Sequence, residues 1–348
     1  MVLQQEALFE MHSPGGSLDK AANLLQEAYN QAPYNRAIAH SLSELALKRA
    51  EVAKTDVEKN KHIKESKSIA SKLISAGSIS PYPHHTLIKT DLKELEDLVS
   101  TSDEASLERQ IKSLEKKISQ AIQLFPDDAY IRELESRFGE LIDNHEKARS
   151  ALENAYNKNK RSTYIASRLA KLFEADGNLE GAIKVLKECL DLNPSDKVIN
   201  FQLAMLLRKD QSSKAADILH HLRRSFTKGD SNFVAQFWYA RYLYVDGEMD
   251  RANAIFRVLS DSNIDTRVKN EPRGEVVIKG EPKRYSGTVL KKEANYAFLV
   301  RDISQDTVFA HKKYQDEKEW EKLRYSKRVT FNLAFNYRGP SALNITEE

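Results

Sequence analysis

The side chains best suited to contact another molecule are aromatic and basic residues near the C-terminal end of the sequence. Tyr296 and Phe298 lie two residues apart, as do Phe309 and His311, so each pair would point to one face of a β-strand. Residues 283–348 contain 13 Lys and Arg against 9 Asp and Glu, a local excess of positive charge. The chemistry expected here is non-covalent binding. Four lysines flank the two aromatic pairs: Lys291, Lys292, Lys312 and Lys313.

The sequence contains no recognisable catalytic or cofactor site. A glycine-rich phosphate loop, a nucleophile elbow and a metal-ligand spacing are all missing. The histidine pairs at 84–85 and 220–221 are adjacent on predicted helices, which turns the two rings of each pair about 100° apart. We therefore expect a protein that is not an enzyme and that uses neither a cofactor nor a metal.

Most of the chain is expected to form helical repeats. Residues 161–194 have the pattern of two amphipathic helices, joined at Asp176-Gly177-Asn178 and closed by Pro194. A helix pair of this kind that recurs about every 34 residues resembles the tetratricopeptide repeat. The resemblance implies a helical solenoid over residues 1–261, with degenerate repeats at about 55–125. Alanines recur at one position of the second helix, with spacings of 34, 34 and 36 residues: Ala148, Ala182, Ala216 and Ala252.

A heptad pattern within the degenerate region has two interpretations. It would suit a coiled coil, or a repeat helix that packs on its neighbours. Fewer than four heptads are present, and Pro126 keeps the repeat register, so we favour the repeat helix. The heptad positions are Leu107, Ile111, Leu114, Ile118, Ala121 and Phe125.

The tetratricopeptide resemblance also implies a binding groove. In that family the first helix of each pair lines the concave face. Aromatic side chains interleaved with Arg and Lys would suit an extended or helical peptide that carries acidic groups. The alternative is that Phe201 and Phe237 are buried between repeats. By register, the groove residues are Tyr164, Lys171, Phe201, Met205, Arg208, Lys209, Phe237, Arg241 and Tyr244.

The bulk properties fit this interpretation. The net charge of +3 is too small to indicate a nucleic-acid binder by itself. The single cysteine, Cys189, is expected to fill core, and no disulfide within the chain is possible. No apolar run approaches the ~18–20 residues of a membrane span, and the N-terminal residues lack the pattern of a signal peptide. We therefore expect a cytoplasmic protein.

The character of the sequence changes after Ser260. Residues 262–283 carry two glycines and two prolines and are expected to be a linker, with one short apolar run at 276–278. From Tyr285 onward the hydrophobic period is 2, which predicts four or five short strands. The expected architecture is mainly α, a tetratricopeptide-like solenoid followed by a small five-stranded β-barrel over residues 284–348.

The C-terminal motifs occur in an order that resembles a cold-shock domain, an oligonucleotide-binding (OB) barrel. The resemblance covers residues 284–346. It rests on Tyr285-Ser-Gly-Thr-Val, Asn295-Tyr-Ala-Phe-Leu, Val308-Phe-Ala-His311, Trp320-x-x-Leu323, Arg328-Val-Thr-Phe and Gly339-Pro-Ser-Ala-Leu-Asn-Ile345.

In the cold-shock family, the bases of a single strand stack on the aromatics of two ribonucleoprotein motifs. Tyr296 and Phe298 match the first motif, and Phe309 and His311 match the second. The family's first-strand aromatic pair is replaced here by residues 290–292 (Leu-Lys-Lys), which implies a smaller site. The resemblance therefore implies weak binding of single-stranded RNA or DNA.

Two functions from different classes remain open at this stage. The first is a non-enzymatic adaptor or sensor whose repeats bind a protein and whose barrel binds single-stranded RNA or DNA. The second follows from the order of repeats and barrel, which is similar to the C-terminal part of STAND-type signalling or antiviral NTPases. In that alternative the chain is a sensor or scaffold of a bacterial defence system, and the barrel is a protein-contact module.

Overall fold

The computed structural model describes residues 2–100, 103–210, 212–278 and 280–348. Within these ranges the chain is mainly α-helical, and its C-terminal part forms a small closed β-barrel. The architecture of tetratricopeptide-like helical repeats followed by a five-stranded barrel is therefore confirmed. The first compact unit ends at Leu172, and the second runs from Phe173 to Glu348.

Within each compact unit, most helices of the repeat region contact the helix that follows them in the chain. Their bounds are α1 (Val2–His12), α2 (Leu18–Gln31), α3 (Arg36–Val52), α4 (Asp56–Ser75), α5 (Tyr82–Val99), α6 (Glu104–Leu124), α7 (Ala129–Leu141), α8 (His145–Lys158), α9 (Thr163–Ala175), α10 (Leu179–Leu192), α11 (Lys197–Lys209), α12 (Ala215–Arg224), α13 (Phe233–Val245) and α14 (Met249–Asp261). The remaining elements are α15 (Thr266–Asn270), β1 (Val277–Ile278), β2 (Glu281–Pro282), β3 (Arg284–Lys292), β4 (Tyr296–Arg301), β5 (Thr307–His311), α16 (Glu317–Lys322), β6 (Arg328–Asn336) and β7 (Gly339–Glu347).

Small residues let the paired helices approach closely. Ala148 on α8 is fully buried, and a Cβ atom added to Gly139 on α7 would lie 2.7 Å from the backbone nitrogen of Ala148. Only glycine fits that contact. Ala182 and Ala252 occupy the corresponding buried positions on α10 and α14. Each is followed by buried residues four and seven positions later, which is the stripe of one helix face.

Ala216 does not occupy the position that the alanine spacing assigns to it. The stripe here consists of Ile218 and Leu222 on α12 and of Ser225 directly after it, which are all buried, whereas Ala216 is exposed. Ile218 therefore takes the place of the alanine, and the spacings become 34, 36 and 34. The two extra residues lie before α12, in a turn where the carboxylate of Asp210 accepts hydrogen bonds from Ser212 and Ser213.

This register has a consequence for stability. Replacing Ile218 by alanine should lower the free energy of unfolding by about 2–5 kcal/mol, because it leaves a cavity in the packed face. Replacing the exposed Ala216 by serine should change it by no more than ~0.5 kcal/mol. Urea denaturation, monitored by circular dichroism, measures the free energy of unfolding of both variants. Equal effects of the two substitutions would contradict the register.

The degenerate region is built from longer helices than the later repeats. Helices α4, α5 and α6 have 20, 18 and 21 residues, whereas α13 and α14 have 13 each. The repeat period is lost here because the helices have lengthened. Leu114, Ile118 and Ala121 of α6 are buried in one cluster with residues of α5 and α7. The heptad positions thus pack on neighbouring repeat helices, in agreement with the repeat-helix interpretation.

The strands β3 to β7 form a closed barrel in the order β3-β4-β5-β7-β6. Neighbouring strands are antiparallel except β5 and β7, which meet in parallel where Phe309 lies opposite Ser341. Along the chain, a long connection joins β5 to β6. Trp320 in that connection is buried and donates a hydrogen bond to the carbonyl oxygen of Ala294. Gly287 on β3 is required, because an added Cβ would lie 2.4 Å from the carbonyl oxygen of Val300.

Residues 262–283, expected to be a linker, contain ordered structure that is bound to the barrel. Arg273 and Phe335 exchange two backbone hydrogen bonds of 2.6 and 2.8 Å, and the N–H of Val276 donates to the carbonyl oxygen of Leu333 at 2.8 Å. Val276 is buried, and β1 pairs with β2 as a short hairpin. Residues 273–276 therefore run alongside β6 and are held to it by backbone hydrogen bonds.

None of the helices that the structure describes is both long and apolar enough to cross a membrane.

Candidate nucleic-acid interface

Four aromatic side chains lie together on the outer face of β4 and β5. Tyr296 lies opposite His311, and Phe298 lies opposite Phe309, in an antiparallel register. The Phe309 ring is 6.2 Å from the Tyr296 ring and 5.7 Å from the Phe298 ring, between centroids. The His311 ring lies 6.4 Å from that of Phe309. We call this set of four rings the aromatic platform.

Strand alternation explains why these rings face outward. Ala297, Leu299, Val308 and Ala310 are fully buried inside the barrel, whereas the four platform residues between them are half-buried. Successive side chains of a strand point to opposite faces, so the same alternation fills the core and exposes the rings. The platform residues therefore have the placement expected from the sequence. All four remain partly accessible rather than fully buried.

The platform continues past the end of β5 onto a residue that the sequence analysis missed. The ring of Tyr314 lies 6.0 Å from the ring of His311. The backbone N–H of Lys313 donates to Nδ1 of His311 at 3.1 Å, so the neutral imidazole carries its hydrogen on Nε2. His311 thus offers both a flat face and one hydrogen-bond donor. No motif singled out Tyr314, because it follows the strand in a short 3-10 turn.

Two of the four flanking lysines lie beside the platform with different partners. Lys291 lies opposite Phe298, and its Nζ is 5.9 Å from the centre of the Tyr296 ring and 3.1 Å from Oε1 of Glu293. The hydrogen bond to Glu293 raises the pKa of Lys291, so this lysine remains charged. The exposed Lys313 has its Nζ 5.3 Å from the centre of the Tyr314 ring.

The other two lysines are less available to a ligand. Lys292 lies opposite the buried Ala297, on the face away from the platform, and its Nζ is 5.6 Å from the centre of the buried Trp320 ring. The expectation that it flanks the platform is wrong. A bulge between Val289 and Lys291 is the reason, because one extra residue makes the side chains after it point to the opposite face of the strand. Lys312 has carboxylates from two glutamates of α16 within 3.6 Å.

Three of the groove residues inferred from the repeats are covered by other parts of the second compact unit. Phe237, Arg241 and Tyr244 on α13 are all buried, and the expectation that they line an open groove is wrong. The guanidinium of Arg241 donates to the carbonyl oxygens of Gly274 and Glu275 at 3.0 and 3.2 Å. Burial also lowers the pKa of Arg241.

Aromatic residues of the barrel cover the rest of this face. The Phe237 ring lies 5.2 Å from that of Tyr337, and the Tyr244 ring lies 5.3 Å from that of Phe335. The hydroxyl of Tyr244 also donates to Asp306, whose pKa is raised by burial. Phe237 is therefore buried, as in the alternative left open from the sequence, but the chain's own C-terminal segment takes part in covering it.

Other groove residues keep accessible surface. Arg208 and Lys209 on α11 are exposed, and Phe201 and Met205 are half-buried. The guanidinium carbon of Arg208 lies 4.2 Å from the centre of the Trp238 ring, a residue that the sequence analysis missed.

The first compact unit holds the other two groove residues. Tyr164 is exposed, and its hydroxyl donates to Glu133 at 3.2 Å. Lys171 is exposed as well.

The histidine pairs form structural contacts. His85 lies 3.1 Å from a carboxylate oxygen of Asp128, and Nδ1 of His221 lies 2.9 Å from Oδ1 of Asn200. Burial lowers the pKa of His221 to about 4. Across the part of the chain that the structure describes, no group of three or more His, Cys, Asp or Glu side chains could hold a metal ion.

Neither a scan against protein-family models nor a search of curated proteins found a match. Solved structures with a similar fold include TTC0263, a thermophilic TPR protein of Thermus thermophilus (16% identity, 60% of this chain and 98% of that chain, TM-score 0.47). Pseudomonas aeruginosa PilF is 14% identical over 65% of this chain and 92% of that chain, with a TM-score of 0.45. The human IFIT1 dimer with m7Gppp-AAAA is 16% identical over 75% of this chain and 59% of that chain, with a TM-score of 0.40. Because these identities and TM-scores are low, we base the function on the geometry of the site.

Proposed function

We propose that this protein is a non-enzymatic adaptor whose barrel binds single-stranded RNA or DNA and whose repeats bind a protein. In this proposal, residues 1–261 are the repeat domain, residues 284–348 are a cold-shock-like barrel of the OB type, and residues 262–283 join them. The observation that carries it is the aromatic platform, with four half-buried rings on one outer face of two paired strands.

The platform suits bases of a single strand rather than a duplex. Base stacking on an aromatic side chain is worth ~1–3 kcal/mol per base and tolerates any sequence, because every base has a flat face. Rings of duplex bases are stacked on each other and cannot reach such a surface. Lys291 and Lys313 lie beside the rings and would contact the phosphates. These features support a small site for single-stranded nucleic acid.

The protein-binding part of the proposal rests on the accessible groove residues of α11. Arg208 is exposed and stacked on Trp238, which holds its charge at the surface. A guanidinium in this position favours a partner with carboxylate or phosphate groups. Arg241 is excluded from this role, because it is buried and donates to the carbonyl oxygens of Gly274 and Glu275.

Fluorescence anisotropy with a labelled oligo(U) or oligo(dT) of about eight nucleotides tests the barrel's function, since one such barrel covers ~4–16 nucleotides. The full chain is the sample, because the barrel shares packed aromatic contacts with α13 and α14. We expect binding that weakens with salt. Two phosphate contacts, by Lys291 and Lys313, predict a slope of about −1.4 for the logarithm of the binding constant against that of the salt concentration.

A folded chain that shows no salt-sensitive binding at tens of micromolar would contradict the proposal. A duplex of the same sequence is the control ligand, and it should bind more weakly because its bases are not free to stack.

One observation favours a second candidate function. The side chains of α13 that were expected to line the groove contact the chain's own residues 273–276 and the barrel. The barrel therefore already makes protein contacts. In a sensor or scaffold of a STAND-type signalling or antiviral system, this contact would be exchanged for another protein. A pull-down with and without nuclease separates the two candidates. Partners lost after nuclease treatment support nucleic-acid binding, and partners retained support the protein-contact barrel.

A further inference from the structure

A cleft of about 420 Å³ opens at one end of the aromatic platform. Its aromatic wall consists of Phe298, Phe309, His311 and Tyr314. Asn336, the last residue of β6, and Arg338, in the turn between β6 and β7, add polar groups to its lining. The cleft thus combines a stacking surface with hydrogen-bonding groups, which a flat platform alone does not provide.

Asn270, at the end of α15, also lines the cleft. Its Oδ1 accepts a hydrogen bond of 2.7 Å from Nε of Arg338. This bond fixes the plane of the guanidinium, and Asn270 therefore acts as a positioning residue. Residues 262–283, which were expected to be a linker, thus contribute Asn270 to the site.

The outer edge of the Arg338 guanidinium is available to a ligand. Its Nη1 has only a long contact of 3.5 Å to Oγ of Ser260, and Nη2 has no partner among the described residues. No carboxylate of the described chain pairs with this arginine, which is itself exposed. A guanidinium edge with two free N–H groups matches two acceptors side by side. On a nucleobase, guanine presents such a pair as O6 and N7.

We propose that this cleft binds one unstacked guanine of the strand that lies on the platform. The base lies against Phe309, and Arg338 donates two hydrogen bonds to its O6 and N7. His311 adds a donor at Nε2, which also favours a base edge rich in acceptors. Adenine offers N7 beside an amino group, so it would place donor against donor. The platform then binds most bases without preference, and the cleft selects guanine at one position of the strand. This inference rests on the proposed binding of single strands.

The test is a set of labelled oligo(U) strands of about eight nucleotides, each with one uridine replaced by guanosine, measured against the full chain by fluorescence anisotropy. A bidentate contact discriminates by about five- to 150-fold. We expect guanosine at one position of the strand to raise the affinity by that factor, and adenosine at the same position not to do so. The measured quantity is the ratio of affinities for the guanosine and uridine strands.

Arg338→Lys keeps the positive charge and loses the paired donors, so it should bring this ratio close to one. Arg338→Ala should do the same, and Asn270→Ala should lower the ratio by releasing the guanidinium. Arg257→Lys, an exposed arginine on α14, is the matched control and should keep the ratio.

Binding of every strand with equal affinity would overturn the guanine site and leave the platform's function intact. A guanine preference that survives Arg338→Lys would overturn it as well. A chain that binds none of the strands would overturn both the guanine site and the proposed function.

Discussion

Replacing Phe309 by alanine should weaken the binding of a single-stranded oligonucleotide by about five- to 150-fold. Its ring lies at the centre of the platform, within 6.4 Å of the rings of Tyr296, Phe298 and His311. Removing it takes away one stacking surface, which is worth ~1–3 kcal/mol. His311→Ala should weaken binding in the same way. Anisotropy of the full chain at low salt measures both variants.

The variants need a control for folding, because Phe309 is half-buried. Tyr325 is an aromatic residue of the barrel that is 72% exposed, and it makes no ring contact with the platform among the described residues. Tyr325→Ala should leave the affinity unchanged. Urea denaturation shows whether each variant keeps the stability of the parent chain. If Phe309→Ala and His311→Ala are stable and bind like the parent, the platform does not carry the binding.

Replacing Phe335 by alanine should have the largest effect on stability, a loss of about 3–5 kcal/mol in the free energy of unfolding. Phe335 is fully buried between barrel and repeats, where its ring lies 5.3 Å from that of Tyr244 and 6.0 Å from that of Phe256. The substitution leaves a cavity in this contact and weakens the attachment of the barrel to α13 and α14. Urea denaturation of the second unit, followed by tryptophan fluorescence, measures the loss.

Limited proteolysis gives an independent measurement of the same contact. Residues 273–276 are held by hydrogen bonds to β6 and by Arg241, so they should resist cleavage in the parent chain. In Phe335→Ala they should become a cleavage site. Tyr325→Ala is the matched control and should change neither stability nor cleavage. Rapid cleavage within 273–276 in the parent chain would contradict the packing described here.

The parts of the fold that depend on short-range patterns could be predicted from the sequence. A turn followed by an alanine and an apolar helix face indicated the repeats, because a small residue allows paired helices to approach closely. Strict alternation in β4 placed Tyr296 and Phe298 on one face and Ala297 on the other. The platform follows from that alternation together with the matching pattern in β5.

The errors arose where one or two extra residues shift a register. Leu290 is the extra residue of a bulge, and it turns Lys292 inward although the sequence pattern places it beside the platform. In α12, the alanine pattern does not identify the residue that enters the packed face, which is Ile218. Both shifts come from backbone geometry that hydrophobic patterns do not encode.

Contacts between distant parts of the chain could not be predicted either. Asn270 and Arg338 are 68 positions apart, and neither belongs to a motif. Periodicity predicts that one face of α13 is apolar, but it does not identify what covers that face. The sequence therefore indicated an open groove at Phe237 and Tyr244, where the structure shows the barrel packed against them.

Ultraviolet crosslinking of the full chain to oligo(U), followed by mass spectrometry, tests the platform's role in binding most directly. It identifies the side chains that touch the bases, without a substitution that alters the fold. We expect crosslinks at Tyr296, Phe298, Phe309 or His311, which disappear when salt or unlabelled oligonucleotide is added. Crosslinks confined to the helical repeats, or bound oligonucleotide with no crosslink on these four residues, would contradict it.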